Sequence, residues 1–110
     1  MSAYLVCMVR VDDAETYKKY TAKTPGFITK HGGKFLVRGG EVETVEGPEF
    51  KDRLVLVEFP SVEHAKTFYH SPEYQEIVKY RHDSSEATFL LVPGVAGDGS
   101  APADSVVPSG

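Results

Sequence analysis

Hydrophobic positions along the chain change period several times, and each change marks an element boundary. Ala3–Val11 (AYLVCMVRV) is almost wholly apolar, with β-branched and aromatic residues, the pattern of a strand buried on both faces. Asp12 and Asp13 follow with N-cap oxygens and negative charge, which favour a helix start. Tyr17, Tyr20, Thr24, Phe27, Ile28 and His31 then recur at helical spacing and describe one helix face. Pro25 interrupts that face and either kinks the helix or starts a second piece. Gly32-Gly33 ends it, where a left-handed backbone is needed.

A second strand runs over Lys34–Arg38, breaks at Gly39-Gly40, and resumes as Glu41–Glu46; paired glycines inside a strand pattern predict a bulge or bend there. Arg53–Phe59 (RLVLVEF) predicts a third strand, again apolar on both parities. Ser61–His70 reads as a helix with Ala65, Phe68 and Tyr69 inward. Ser71-Pro72-Glu73 starts another, running to about Ser84, with Ser at N-cap, Pro at N1 and an acid in the first turn. Thr88–Val92 predicts the last strand. The order is β-α-β-β-α-β, a ferredoxin-like α+β fold: a four-stranded antiparallel sheet with helices on one face. A solvated second face calls for alternating polar residues, yet strands one, three and four lack them. A face-to-face homodimer, two sheets covering each other, is the expected solution.

Composition narrows the class. The 110 residues fit one domain, and 12 Lys+Arg against 16 Asp+Glu give a net charge of −4. That acid excess argues against nucleic acid as a partner. Apolar runs such as Leu54–Val57 and Phe89–Val92, and even the longer one over Ala3–Val9, are far short of the roughly 20 residues of a membrane span. The N-terminus lacks the basic and apolar regions of a signal peptide. The single cysteine, Cys7, lies within an apolar run and permits no internal disulfide, so a reducing cytoplasm is the expected compartment. After Pro93 the chain turns to Gly, Pro and Ser with no aromatic residue. The expected organisation is a domain over 1–93 and a flexible tail over 94–110.

The run GGKFLVRGGEVETVEG, then RLVLVEFPSVEHAKTFYHSPEYQEIVKYR and a closing LLVPG, resembles the family catalogued as domain of unknown function 1330, over about residues 3–95. The resemblance implies the dimeric α+β barrel superfamily and hence a homodimer. Relatives in that superfamily include cofactor-free oxygenases, lactone isomerases, aromatase/cyclase-type proteins and haem-degrading enzymes. The last usually rely on a pocket tryptophan, and this chain has none. Fold-level analogy alone assigns no reaction.

No phosphate loop, Cys-x-x-Cys, His-Glu-x-x-His or Gly-x-Ser-x-Gly occurs, and His31, His64, His70 and His82 include no i,i+4 pair. No metal and no cofactor are called for. Candidate chemistry rests on polar residues at apolar positions. Arg38 ends an apolar strand, and Glu58 shares parity with Leu54 and Leu56. With Glu46 opposite Arg53, Glu41 falls opposite Glu58, and a bulge at Gly39-Gly40 puts Arg38 on the same face as Glu58. Arg81 and His31 lie on the core stripes of their helices. In a structural reading, Arg38 and Glu58 satisfy each other's charges and His31 favours a helix C-terminus. In a functional reading, Tyr17, Tyr20, Phe27, Phe35, Phe68, Tyr69 and Arg81 bind a small aromatic, polyketide-like or anionic molecule. Arg38 then binds a carboxylate or an enolate or phenolate oxygen, and His31 or Glu58 moves a proton. A cofactor-independent isomerase, cyclase or oxygenase follows from that reading; a non-catalytic small-molecule-binding or accessory dimer is the alternative.

Overall fold

The structure, a computed structural model, describes residues 2–95. The expected tail falls largely outside those residues. The elements run β1 (Ala3–Val11), α1 (Ala14–Thr21), α2 (Thr24–Lys30), β2 (Lys34–Arg38), β3 (Arg53–Phe59), α3 (Val62–Tyr69), α4 (Pro72–Ser84) and β4 (Ser85–Pro93). The four strands form one antiparallel sheet in the order β2-β3-β1-β4. This is the expected ferredoxin-like α+β architecture, with each helical layer divided into two short pieces.

Local chemistry explains the breaks. The Asp13 carboxylate accepts from the Thr16 backbone N–H at 3.3 Å and caps α1. Pro25 stands in the first turn of α2, where its missing N–H costs nothing, so the proline starts a second helix. Ser61 and Ser71 cap α3 and α4 through the N–H groups of His64 and Tyr74. β4 begins at Ser85, earlier than the apolar pattern predicts, because pairing with β1 continues from Leu91 out to Val11↔Ser85.

Along β1 and β3 alternate residues turn to the helices. Leu5, Cys7 and Val9 join Val55, Val57 and Phe59 beneath Ile28, Ala65, Phe68, Tyr74, Ile77 and Val78. At the centre, Phe68 packs against Tyr74 with ring centroids 4.5 Å apart and against Phe59 at 5.4 Å. The other parity turns to the open face of the sheet. There Val37, Leu56, Val6 and Leu90 oppose one another in one row crossing all four strands.

The second strand differs from expectation in two ways. Its bulge lies between Phe35 and Val37, leaving Leu36 as the extra residue, and Lys34, not Glu41, opposes Glu58. Glu41–Glu46 forms no strand. The reason is geometric: Arg38 already opposes Val55, and the Gly39 N–H donates to the Leu54 carbonyl at 2.9 Å. Only Arg53 remains of β3, so residues beyond Gly40 have no ladder to join. They form a loop in which the Phe50 N–H donates to Thr44 Oγ1 at 2.8 Å.

Candidate functional site

Where α1 passes into α2, the side chains facing the sheet shrink to Thr21, Thr24 and Pro25, too short to fill the space above β2 and β3. A narrow cleft with about 40 Å³ of enclosed room, opening to solvent at its mouth, lies there. Its floor is Leu5, Cys7, Val9, Val55 and Val57 of the sheet, and its walls include Tyr17, Tyr20, Phe35, Phe68 and Phe89. Arg38 and Arg53 are the charged residues of the lining.

The bulge at Leu36 sets this arrangement. It turns Phe35 and Arg38 to the helix face beside Val57 and Val55, and the Arg38 guanidinium lies over the Phe35 ring, 4.6 Å from its centroid. The expected pairing of Arg38 with Glu58 is therefore overturned, because Glu58 is on the opposite face. There Glu58 accepts a hydrogen bond from the Tyr4 hydroxyl at 3.2 Å and an ion pair from Lys34 at 3.3 Å. A bulge at the glycines would have joined Arg38 to Glu58; a bulge at Leu36 separates them.

Of the other residues expected at the site, Tyr17, Tyr20, Phe35 and Phe68 line the cleft, whereas His31, Phe27, Tyr69 and Arg81 do not. His31 sits at the C-terminus of α2, its Nε2 3.2 Å from Glu73 Oε1, with its ring against Phe68. Phe27 is half-buried against the core. Tyr69 and Arg81 line a separate hollow with His82, Ser85, Ala87 and Phe89. Arg81 is 5% exposed, as its place on the core stripe predicts. Its guanidinium lies behind two cleft walls, 4.1 Å from the Phe89 centroid and 5.7 Å from that of Tyr20.

Sequence reasoning passed over Arg53. It opposes Val9 and shares the helix-facing parity of Val55 and Val57, which was the available signal. Its Nε is buried with no hydrogen-bond partner. Among the described residues Arg38, Arg53 and Arg81 form no ion pair with a carboxylate. Permanent positive charge thus borders an apolar cleft without an internal counter-ion.

The neighbouring groups are held neutral. Burial pushes the Cys7 thiol up to about 12, only partly opposed by the charge of Arg81, so this cysteine is not a nucleophile at neutral pH. Burial also raises the Tyr17 hydroxyl, against the opposing charges of Arg53 and Arg81. It raises Tyr20 as well, whose hydroxyl is 2.7 Å from that of Tyr74. The described lining contains no carboxylate and no imidazole. Among the described residues no group of three or more His, Cys, Asp or Glu side chains is placed to hold a metal ion.

The family profile described as "Domain of unknown function (DUF1330)" matches residues 2–95. The chain belongs to that family. Solved structures place this DUF1330 protein among ferredoxin-like relatives. The RPA0582 protein of unknown function from Rhodopseudomonas palustris has a TM-score of 0.70 at 21% identity, over 87% of this chain and 84% of that one. SnoaB, a cofactor-independent oxygenase from Streptomyces nogalater, has 0.59 at 14%, over 90% and 98%. A dimeric protein of unknown function and ferredoxin-like fold from Bacteroides fragilis has 0.51 at 15%, over 84% and 95%. At these identities the likeness is one of fold. No protein among those of curated function matches the DUF1330 chain.

Proposed function

We propose that the protein binds a small aromatic, polyketide-like or anionic molecule in this cleft and promotes loss of a proton from it, without a cofactor. This is the half-reaction common to isomerases, cyclases and cofactor-independent oxygenases. The observation that carries the reading is Arg38, turned to an apolar cleft with no carboxylate partner. Its guanidinium suits the oxygen on which charge develops as a C–H or O–H bond ionises. The electron pair remains on the substrate as an enolate or phenolate, and the proton leaves to water at the mouth. The shared fold with an oxygenase of that class supports the reading by analogy.

The working unit proposed is a homodimer packed through the open sheet faces. A single buried cysteine suits a reducing compartment such as the cytoplasm, and no helix of the described residues is long and apolar enough to cross a membrane. The lack of a carboxylate or imidazole in the described lining favours a second reading, a non-catalytic binder.

Hydrogen–deuterium exchange at the acidic carbon of 2-tetralone, followed by NMR in deuterated buffer, separates these readings. Catalysis predicts acceleration over buffer that falls about 100-fold or more in Arg38→Ala, the scale of one lost oxyanion contact. Binding without acceleration selects the non-catalytic reading. Absence of both binding and exchange refutes the cleft as a site for such molecules.

A further inference from the structure

Two arginines without a carboxylate partner on one cleft exceed what a single developing oxyanion requires. Arg38 opposes Val55 on β3, and Arg53 lies two residues from Val55 on the same face. Such diagonal positions are about 7–8 Å apart across an antiparallel pair. The two side chains differ in setting. Arg38 is exposed and stacked on Phe35, whereas Arg53 is half-buried and its Nε is shut off from solvent without a partner.

What admits Arg53 is Gly39. This residue has φ +71°, a backbone that favours glycine. A Cβ there would collide with Arg53 Nη1 and stand 2.5 Å from Cζ. The absence of a side chain at Gly39 is therefore what lets the guanidinium lie across the end of β2 beside the cleft. Aromatic walls flank the site, and the charge of Arg53 opposes the burial-driven rise of the neighbouring Tyr17 hydroxyl.

We propose that Arg53, seated on Gly39, is the anchor for a carboxylate that the substrate already carries, leaving Arg38 for the second oxygen, the one that becomes charged. The substrate class is then a planar aromatic carboxylic acid with an enolisable or phenolic oxygen. A guanidinium matches a carboxylate through two parallel N–H···O bonds, and the apolar floor takes the ring. Gly39 is a positioning residue in this scheme. The assignment rests on the cleft being the binding site, as proposed above, and adds which arginine holds which charge.

The probe is 2-naphthoate, with uncharged 2-naphthamide as its twin, titrated by fluorescence and located by backbone amide NMR shifts in the full chain. The wild type should prefer naphthoate about 10- to 100-fold, the equivalent of one charge-assisted contact. Arg53→Met and Gly39→Ala should remove that preference, Arg53→Lys should restore part of it, and Arg38→Met should leave most of it. Gly39→Ala and Arg53→Lys keep the test sound should Arg53→Met fail to fold. Equal affinity for both probes in the wild type, or a preference that survives Arg53→Met and Gly39→Ala but disappears in Arg38→Met, overturns the assignment while the cleft remains a site. Failure of both probes to shift cleft amides overturns the assignment and the cleft together.

Discussion

Glu73 shows how single side chains decide between structural and catalytic roles. One oxygen, Oε1, is 3.1 Å from Lys30 Nζ and 3.2 Å from His31 Nε2. Its own backbone N–H at the start of α4, then Lys30 and His31, hold this carboxyl down at about 2, against an ordinary 4.5. His31 thus ties the end of α2 to the start of α4. A carboxyl with a depressed pKa in the folded state favours folding above its unfolded value. That contribution disappears as pH falls from about 4.5 toward 2, because protonation then favours the unfolded chain. Urea midpoints should therefore decline across this acid window, and Glu73→Gln should flatten the decline; an unchanged acid profile in Glu73→Gln would remove the tie. Stripe position correctly turned Tyr20 and Arg81 inward, but did not say what they or His31 touch. His31 on a helical stripe looks the same whether its partner is a substrate or Glu73, since that partner is 42 residues away. Arg53 was missed for the opposite reason. A charge opening an apolar run reads as a solvated strand end, and only the glycine across the ladder makes room for it to turn inward.

At the scale of elements, boundaries with chemical punctuation were legible and those set by pairing were not. Ser71-Pro72-Glu73 specifies the start of α4, and the structure supplies the contacts. Ser71 Oγ donates to the Phe68 carbonyl at 2.7 Å and accepts from the Tyr74 N–H at 3.3 Å, joining α3 to α4. Ser71→Ala should cost about 1–2 kcal/mol, the usual loss for an N-cap. Urea denaturation measures it, and a change below a few tenths would show that water replaces the serine. β2 has no such punctuation. Gly39-Gly40 carries the chemical mark of a bulge, whereas Leu36, the residue actually displaced, carries none. Alternation over Glu41–Glu46 is good strand sequence, but a strand exists only beside a partner, and β3 has run out by then. This one displacement separates Arg38 from Glu58, so the composition of the site depends on a register that side-chain chemistry does not encode.

For the whole molecule, the decisive feature is the face of the sheet that the helices leave uncovered. Tyr4, Val6 and Met8 of β1, Leu54 and Leu56 of β3, and Leu90 and Val92 of β4 share that face. Leu90 is 48% exposed and Val92 45%. Scattered apolar residues on a surface need no explanation, but a contiguous patch spanning a sheet marks an interface. The two-sided apolar pattern made this uncovered apolar face legible from the strands alone. Leu56 lies near the middle of the row from Val37 to Leu90, with Val6 and Val37 as its cross-strand neighbours. A second copy of the sheet would bury the patch, while Glu58, paired with Lys34 and Tyr4, would enter the interface with its charge already matched. Sedimentation at micromolar concentration should give twice the 12.1 kDa chain mass. Leu56→Glu places an unmatched carboxylate in that interface, which typically costs several kcal/mol, and should yield monomers whose helix content, by circular dichroism, is retained. A wild type that sediments as a monomer would leave this apolar face facing water, contrary to the balance that holds such sheets together.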